Sequence, residues 1–183
     1  FDAIFFIGYH GSISGKPSTM SHTYNPEVFS GARLNGIYVG ESGINALVAD
    51  HFGVPIAFVS GDAVTWDETA AFAPGGVNVV TKISITRASA KNLHPTESCR
   101  LIREGTEEAM GRIRQGKVGL AKIARPATLE LEMQTADMAD VATWVGGVER
   151  IADRSVRIVG QDLLAVFTSF VAVNYITRQA GGR

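Results

Sequence analysis

Two histidines and one glutamate are the side chains of this sequence best suited to chemistry. His10 follows an apolar run in "FFIGYHG", His22 lies in "SHTY", and Glu41 lies in "VGESG". Imidazole nitrogens and carboxylates are ligands that zinc accepts, and a neutral imidazole also transfers protons near pH 7. The stretch that joins His10 to His22 is rich in glycine and hydroxyl side chains. This composition favours either a phosphate-binding loop or half of a metal site.

The phosphate interpretation fails on spacing. A P-loop needs a glycine, four residues, and then Gly-Lys followed by serine or threonine. Here Gly15 and Lys16 are followed by Pro17, and His10 stands where the first glycine is required. Proline removes one of the amide donors that such a loop needs, and no helical pattern follows it. The sequence therefore argues against an ordinary P-loop.

The metal interpretation has plain structural alternatives. In open parallel sheets, ligands bind beyond the carboxyl ends of the strands, which is where His10 leaves its strand with glycines on both sides. A histidine hydrogen-bonded to a neighbouring carbonyl would fit the same position. Glu41 precedes a helical pattern and would fit as an acid favoured by the helix dipole, and His22 as a loop residue without a role. From the residues alone, these alternatives stay open.

Strand and helix patterns alternate along the first two thirds of the chain. Continuous apolar runs typical of buried strands alternate with helical patterns, in the order "AIFFI", "GINALVADHFG", "VPIAFVSGD", "WDETAAFA", "VNVVTKISI" and "HPTESCRLIREGTEEAMGRI". Such runs, separated by helices, predict an α/β fold with a mostly parallel sheet and helices on both faces.

The last third predicts a smaller βαβα unit. Its strands are "ATLELEMQ" and "SVRIVGQ", and its helices are "TADMADVATWVGGVERI" and "DLLAVFTSFVAVNYI". We therefore predict an α/β catalytic-type domain over residues 1–116 and a smaller α/β domain over residues 117–183. Because the chain opens inside a strand pattern without an initiator methionine, we interpret the first domain as lacking its N-terminal strands.

Composition narrows the class of protein. The chain has 183 residues, 45% of them hydrophobic, and a net charge of -1, and it has no cluster of Lys and Arg with aromatic residues. We therefore expect neither a nucleic-acid partner nor a membrane partner. The apolar stretch of residues 163–173 is shorter than the ~20 residues needed to cross a bilayer, so it predicts a core helix. A single cysteine, Cys99, excludes an internal disulfide and favours a cytoplasmic location.

Several motifs together resemble one family. The strings "FFIGYHG", "SHTYN", "LNGIYVGESGINA", "FGVPIAFVSGD", "VTKISI" and "LHP" have the order and approximate spacing found in DppA-type D-aminopeptidases. The resemblance covers residues 1–113 well and the remainder loosely. It implies a metallopeptidase with two zinc ions that releases N-terminal D-amino acids such as D-alanine from short peptides. It also implies a large ring-like homo-oligomer.

The resemblance assigns roles to the three residues. His10 and Glu41 correspond to zinc ligands, and His22 corresponds to the catalytic nucleophile or base. The family's remaining ligands belong to an Asp-x-Glu-Gly motif and a further histidine, in an upstream region that this chain does not contain. The stretch between His10 and His22 is also slightly longer than is usual in the family.

A geometric expectation follows from these roles. The side chains of His10 and Glu41 should converge within about 3 to 6 Å at the carboxyl end of the sheet, with His22 just beyond reach of the ion. Asp62, at a strand end in "VSGD", is predicted to hold the free amino group of the substrate. The alternative function is a non-catalytic α/β module that binds an anionic small molecule through the loop between His10 and His22.

Overall fold

Two β-sheets with flanking helices form the fold, which a computed structural model describes for residues 1–13 and 15–180. Ser14, in the loop before His22, and residues 181–183 of the predicted second domain lie outside the described residues. The strands are β1 (Ile4–Tyr9), β2 (Phe29–Leu34), β3 (Ile37–Tyr38), β4 (Ile56–Asp62), β5 (Val77–Thr86), β6 (Ser89–Asn92), β7 (Ala127–Met133), β8 (Val148–Ala152) and β9 (Ser155–Gly160). The helices are α1 (Glu41–His51), α2 (Ala63–Thr69), α3 (Pro95–Arg114), α4 (Ala136–Ala142) and α5 (Leu163–Ala180).

The first sheet is mostly parallel, as the sequence predicts. Its strand order is β1-β4-β5-β6, in which β1, β4 and β5 are parallel and β6 returns antiparallel to β5. Every residue of β4 is buried, because helices α2 and α3 pack against this strand and β1 and β5 lie beside it. The α/β fold class is confirmed.

The second sheet is antiparallel and contains strands from both ends of the chain. Its order is β3-β2-β7-β9-β8. Strand β7 buries Ala127, Leu129, Leu131 and Met133 and leaves the intervening side chains partly exposed, as the alternation in "ATLELEMQ" predicts. Helices α4 and α5 pack against this sheet.

Strand β2 connects the two predicted domains. It pairs antiparallel with β7, so that Ala32 faces Leu131 across the sheet. The buried side chains of Phe29 and Leu34 belong to the same hydrophobic cluster as Leu129 and Phe170. One sheet and one core therefore run across the boundary predicted between residues 116 and 117, and the division into residues 1–116 and 117–183 stays a prediction.

The helix predicted within "TADMADVATWVGGVERI" is shorter than expected. Helix α4 ends at Ala142, and Gly146 and Gly147 follow, the second with a φ of 83° that glycine adopts without strain. The chain turns at this glycine pair and continues as β8, so the C-terminal order is βαββα rather than βαβα. Helix α5 is the predicted core helix, and no helix of the described residues is long and apolar enough to cross a membrane.

Candidate metal centre

The carboxyl edge of the parallel sheet positions His10. Strand β1 ends at Tyr9, whose register partner on β4 is Gly61. A Cβ atom at Gly61 would lie 2.3 Å from the carbonyl oxygen of Tyr9, so only glycine allows the two strands to approach this closely. Gly8 has a φ of 74°, and its amide donates to Ser60 Oγ at 3.1 Å. These contacts fix the point at which His10 leaves the sheet.

Glu41 is the first residue of α1. The helix begins after Gly40, which offers no side-chain cap, so the carboxylate of Glu41 lies where the helix dipole favours a negative charge. Its Oε1 atom accepts a hydrogen bond from the amide of Tyr24 at 3.2 Å and lies 3.1 Å from Nε2 of His22. Glu41 is therefore both an acid at the N-terminus of a helix and a contact of His22.

His10, His22 and Glu41 form a single cluster. Their potential ligand atoms all lie within 4.8 Å of one another, and the two imidazole rings have centroids 4.3 Å apart. The predicted convergence of His10 and Glu41 is confirmed. His22 lies closer than expected, because its Nε2 atom is 3.1 Å from a carboxylate oxygen of Glu41 and belongs to the same group of potential ligand atoms.

Both histidines have one nitrogen tied to the main chain. Nδ1 of His10 lies 3.0 Å from the carbonyl oxygen of Gly11, and Nδ1 of His22 lies 2.8 Å from that of Met20. A carbonyl oxygen only accepts hydrogen bonds, so each Nδ1 carries a proton, and in a neutral ring the lone pair of Nε2 is then free to bind a metal. Metal-binding histidines make this kind of outer hydrogen bond in most known sites.

The donor set fits zinc. Nε2 of His22 lies 3.1 Å from a carboxylate oxygen of Glu41, a separation at which either a proton or a cation between the two atoms is stabilising. Two ligands of one tetrahedral zinc are themselves separated by roughly 3 to 3.5 Å. The cluster therefore offers donor atoms that zinc accepts, and His10 with Glu41 can bind the ion while His22 lies beside them.

Asp62, which the sequence predicts to bind the substrate amine, has a buried carboxylate. Its side chain is 0% exposed and receives hydrogen bonds from the hydroxyls of Ser18, Ser84 and Thr65 and from the amide of Thr65, which makes it the N-cap of α2. Burial raises the pKa of Asp62, but these hydrogen bonds outweigh burial and leave the pKa below its usual value. Asp62 is a buried structural anion with no oxygen left for a substrate amine.

Glu68 of α2 is a half-buried carboxylate that the sequence analysis missed. It accepts hydrogen bonds from the amide of Ser12 at 2.7 Å and from the Ser12 hydroxyl at 2.9 Å. Burial raises the pKa of Glu68 above its usual value, the bonds from Ser12 oppose this, and the charges of Asp62 and Asp67 add to the rise. Because Ser12 lies 56 residues before Glu68, no local pattern in the sequence signals this contact.

Two tyrosines and an asparagine lie beside Glu41. Asn45 accepts a hydrogen bond from the hydroxyl of Tyr24 and donates to the hydroxyl of Tyr9 at 3.1 Å. Burial, and to a smaller degree the charge of Glu41, raises the pKa of both tyrosines, so both remain protonated. Asn45 lies four residues after Glu41 on the same face of α1, and this spacing was the available signal.

Comparison with known proteins gives consistent results. A family model described as D-aminopeptidase matches residues 1–172. The D-aminopeptidase of Bacillus subtilis (strain 168) is 28% identical over 179 residues, which are 94% of this chain and 62% of that protein. The solved structure of the Zn-dependent D-aminopeptidase DppA from Bacillus subtilis, described as a self-compartmentalizing protease, matches with a TM-score of 0.88 at 26% identity. That match covers 97% of this chain and 64% of the other.

Fold and cluster together define an α/β protein with a candidate metal centre at the carboxyl edge of a parallel sheet. The chain belongs to the D-aminopeptidase family. This confirms the resemblance found in the sequence. The chain spans less than two thirds of the length of both relatives.

Proposed function

We propose that this protein is a zinc-dependent aminopeptidase that removes D-alanine-like residues from the N-terminus of short peptides. The observation that carries the proposal is the convergence of His10, His22 and Glu41 within 4.8 Å. The names of the two relatives, both D-aminopeptidases and one of them Zn-dependent, support the same chemistry.

In this proposal His10 and Glu41 hold zinc, and the complete site contains two ions. Bound zinc lowers the pKa of a water ligand to about 7 and polarises the carbonyl group under attack. Two ligands from this chain are too few for tight binding, so we propose that the remaining ligands come from residues outside it. We expect the 183-residue chain alone to bind zinc weakly.

The remaining site residues position groups and move protons. His22, protonated on Nδ1, presents the Nε2 lone pair, which accepts a proton from the attacking water and returns it to the leaving amine, or attacks the carbonyl directly. The amide of Tyr24 holds the Glu41 carboxylate in place. The hydroxyl of Tyr9 is held by Asn45 next to the cluster and keeps its proton.

The contacts of the loop weigh against the alternative of an anion-binding module. Four of its amides, those of Gly11, Ser12, Ile13 and Thr19, already donate to side-chain oxygens. An anion needs such amides free. The half-buried carboxylate of Glu68, which contacts the same loop, repels a second negative charge.

Assembly and location form part of the proposal. The description of the solved relative as self-compartmentalizing supports a ring-like homo-oligomer that encloses its short peptide substrates. A free, exposed Cys99 is compatible with the reducing cytoplasm. We also keep the division into residues 1–116 and 117–183 as a proposal, which limited proteolysis of the purified protein tests.

The function is tested by hydrolysis of a D-alanyl peptide and its L-enantiomer by the full-length protein. We expect preference for the D-peptide, loss of activity with a chelator, and recovery on addition of zinc. His10→Ala should lose metal and activity together, whereas His94→Ala, in a histidine that caps α3 away from the cluster, should keep both. Undiminished hydrolysis by the metal-free protein would contradict the proposal.

A further inference from the structure

The turn between β5 and β6 holds the main chain that carries His22. In this hairpin turn, residues 86–89, the carbonyl oxygen of Arg87 accepts a hydrogen bond from the amide of Met20 at 2.8 Å. Nε of the same arginine donates to the carbonyl oxygen of Ser21 at 2.9 Å. A single residue therefore holds two consecutive residues directly before His22.

Thr19 extends this contact by one residue. Its amide donates to Ser84 Oγ at 2.8 Å, and its hydroxyl contacts the carbonyl oxygen of Ser89 at 3.2 Å. Ser84 in turn donates to the buried carboxylate of Asp62 at 2.7 Å. The hairpin that holds the loop is thus itself attached to the interior of the protein.

Met20 is the residue on which these contacts act. Its φ of 62° lies in the left-handed region, which is unfavourable for a residue with a side chain. The Met20 side chain is 66% exposed, so its packing does not compensate for this cost. In the left-handed conformation the Met20 carbonyl oxygen lies 2.8 Å from Nδ1 of His22. Loss of that conformation would remove the acceptor that fixes the protonated nitrogen of His22.

We propose that Arg87 is a positioning residue for His22. Its guanidinium holds the Ser21 carbonyl, which keeps Met20 left-handed and its carbonyl on Nδ1 of His22, so that Nε2 remains directed at Glu41. The inference rests on the proposed function for its effect on catalysis, and on the contacts alone for its effect on the His22 ring. Without the guanidinium, the Ser21 carbonyl turns to water and Nδ1 of His22 loses its fixed acceptor.

The test is nitrogen NMR of the metal-free protein with ¹⁵N-labelled histidine. The chain has four histidines, and the His22 signals are those absent from His22→Ala. We expect one sharp Nδ1–H signal for His22 in the wild type, because the Met20 carbonyl accepts this proton, and a shifted and broadened Nδ1–H signal in Arg87→Ala. Thr19→Val should change the same signals less, and it serves as the second variant if Arg87→Ala is unstable.

Arg112→Ala is the matched control. Arg112 also donates to main-chain carbonyls of a turn, those of Gly75 at 3.0 Å and Gly76 at 3.2 Å, at the opposite end of β5. We expect wild-type His22 signals in this variant.

Kinetics of the zinc-loaded protein give the second readout. Loss of a residue that orients a site histidine typically lowers activity by 10- to 100-fold, so we expect kcat of Arg87→Ala to fall by about this factor with little change in KM. Unchanged His22 signals in Arg87→Ala, or an equal kcat loss in Arg112→Ala, would overturn the inference. If the wild type shows no peptidase activity, the proposed function fails, whereas the NMR comparison still decides whether Arg87 positions His22.

Discussion

Replacement of Asp62 by alanine distinguishes a structural carboxylate from a substrate-binding one. The side chain is fully buried and accepts four hydrogen bonds, two of them from Thr65 as the N-cap of α2. Loss of an N-cap costs about 1 kcal/mol. The hydroxyls of Ser18 and Ser84 also lose their acceptor, and each lost hydrogen bond lowers the stability by roughly another 1 kcal/mol. We therefore expect Asp62→Ala to lower the free energy of unfolding by about 3 kcal/mol.

Urea denaturation at pH 7 measures this loss. The control is Asp67→Ala, because Asp67 belongs to the same helix but has a side chain that is 56% exposed and pairs with the exposed Lys16. Exposed ion pairs contribute about 0 to 1 kcal/mol, so the control should remain close to wild type. A substrate-binding Asp62 would instead raise KM and leave stability unchanged. That result would refute the structural role.

Two further predictions concern the carboxylate of Glu68 and the roles of His22 and His10. Because burial raises the pKa of Glu68, the folded protein binds this proton more tightly than the unfolded chain does, and stability should fall as pH rises from about 4.5 through the folded pKa. Glu68→Gln should remove this part of the slope when the free energy of unfolding is measured from pH 4 to 7, and an unchanged slope would contradict the raised pKa. His22→Ala should abolish peptide hydrolysis and retain most of the metal, whereas His10→Ala should lose both; elemental analysis showing equal metal loss would assign His22 as a ligand instead.

Local patterns in the sequence were sufficient for part of the fold. Strand β4 is a continuous apolar run because both of its faces are buried. Strand β7 alternates apolar and polar side chains because only one of its faces is buried. Pro95 and Glu97 lie in the first turn of α3, where proline and acidic residues are favoured, so the start of this helix is a local feature of the sequence. Strand β2 was missed because its place depends on pairing with β7, whose residues come about 100 positions later, and no local period encodes that partner.

The site residues also divide into those with a local signal in the sequence and those that depend on tertiary contacts. His10 and Glu41 were predictable because a strand end and a helix start are local features, and the family motifs include both residues. The strand-end rule did not anticipate the burial of Asp62, since the rule does not distinguish an exposed carboxylate from one that caps the next helix. Arg87 and Glu68 act only through tertiary contacts with the loop before His22, so their roles were visible only in the structure.

Anomalous X-ray diffraction from zinc-loaded crystals of the full-length protein tests the central claim most directly. Data collected on either side of the zinc absorption edge locate the ions independently of the protein chemistry. We predict an anomalous peak about 2.0 to 2.2 Å from Nε2 of His10 and from a carboxylate oxygen of Glu41, and its loss in His10→Ala. A zinc peak elsewhere, with His10 and Glu41 unliganded, would contradict the assignment of this cluster as the metal centre.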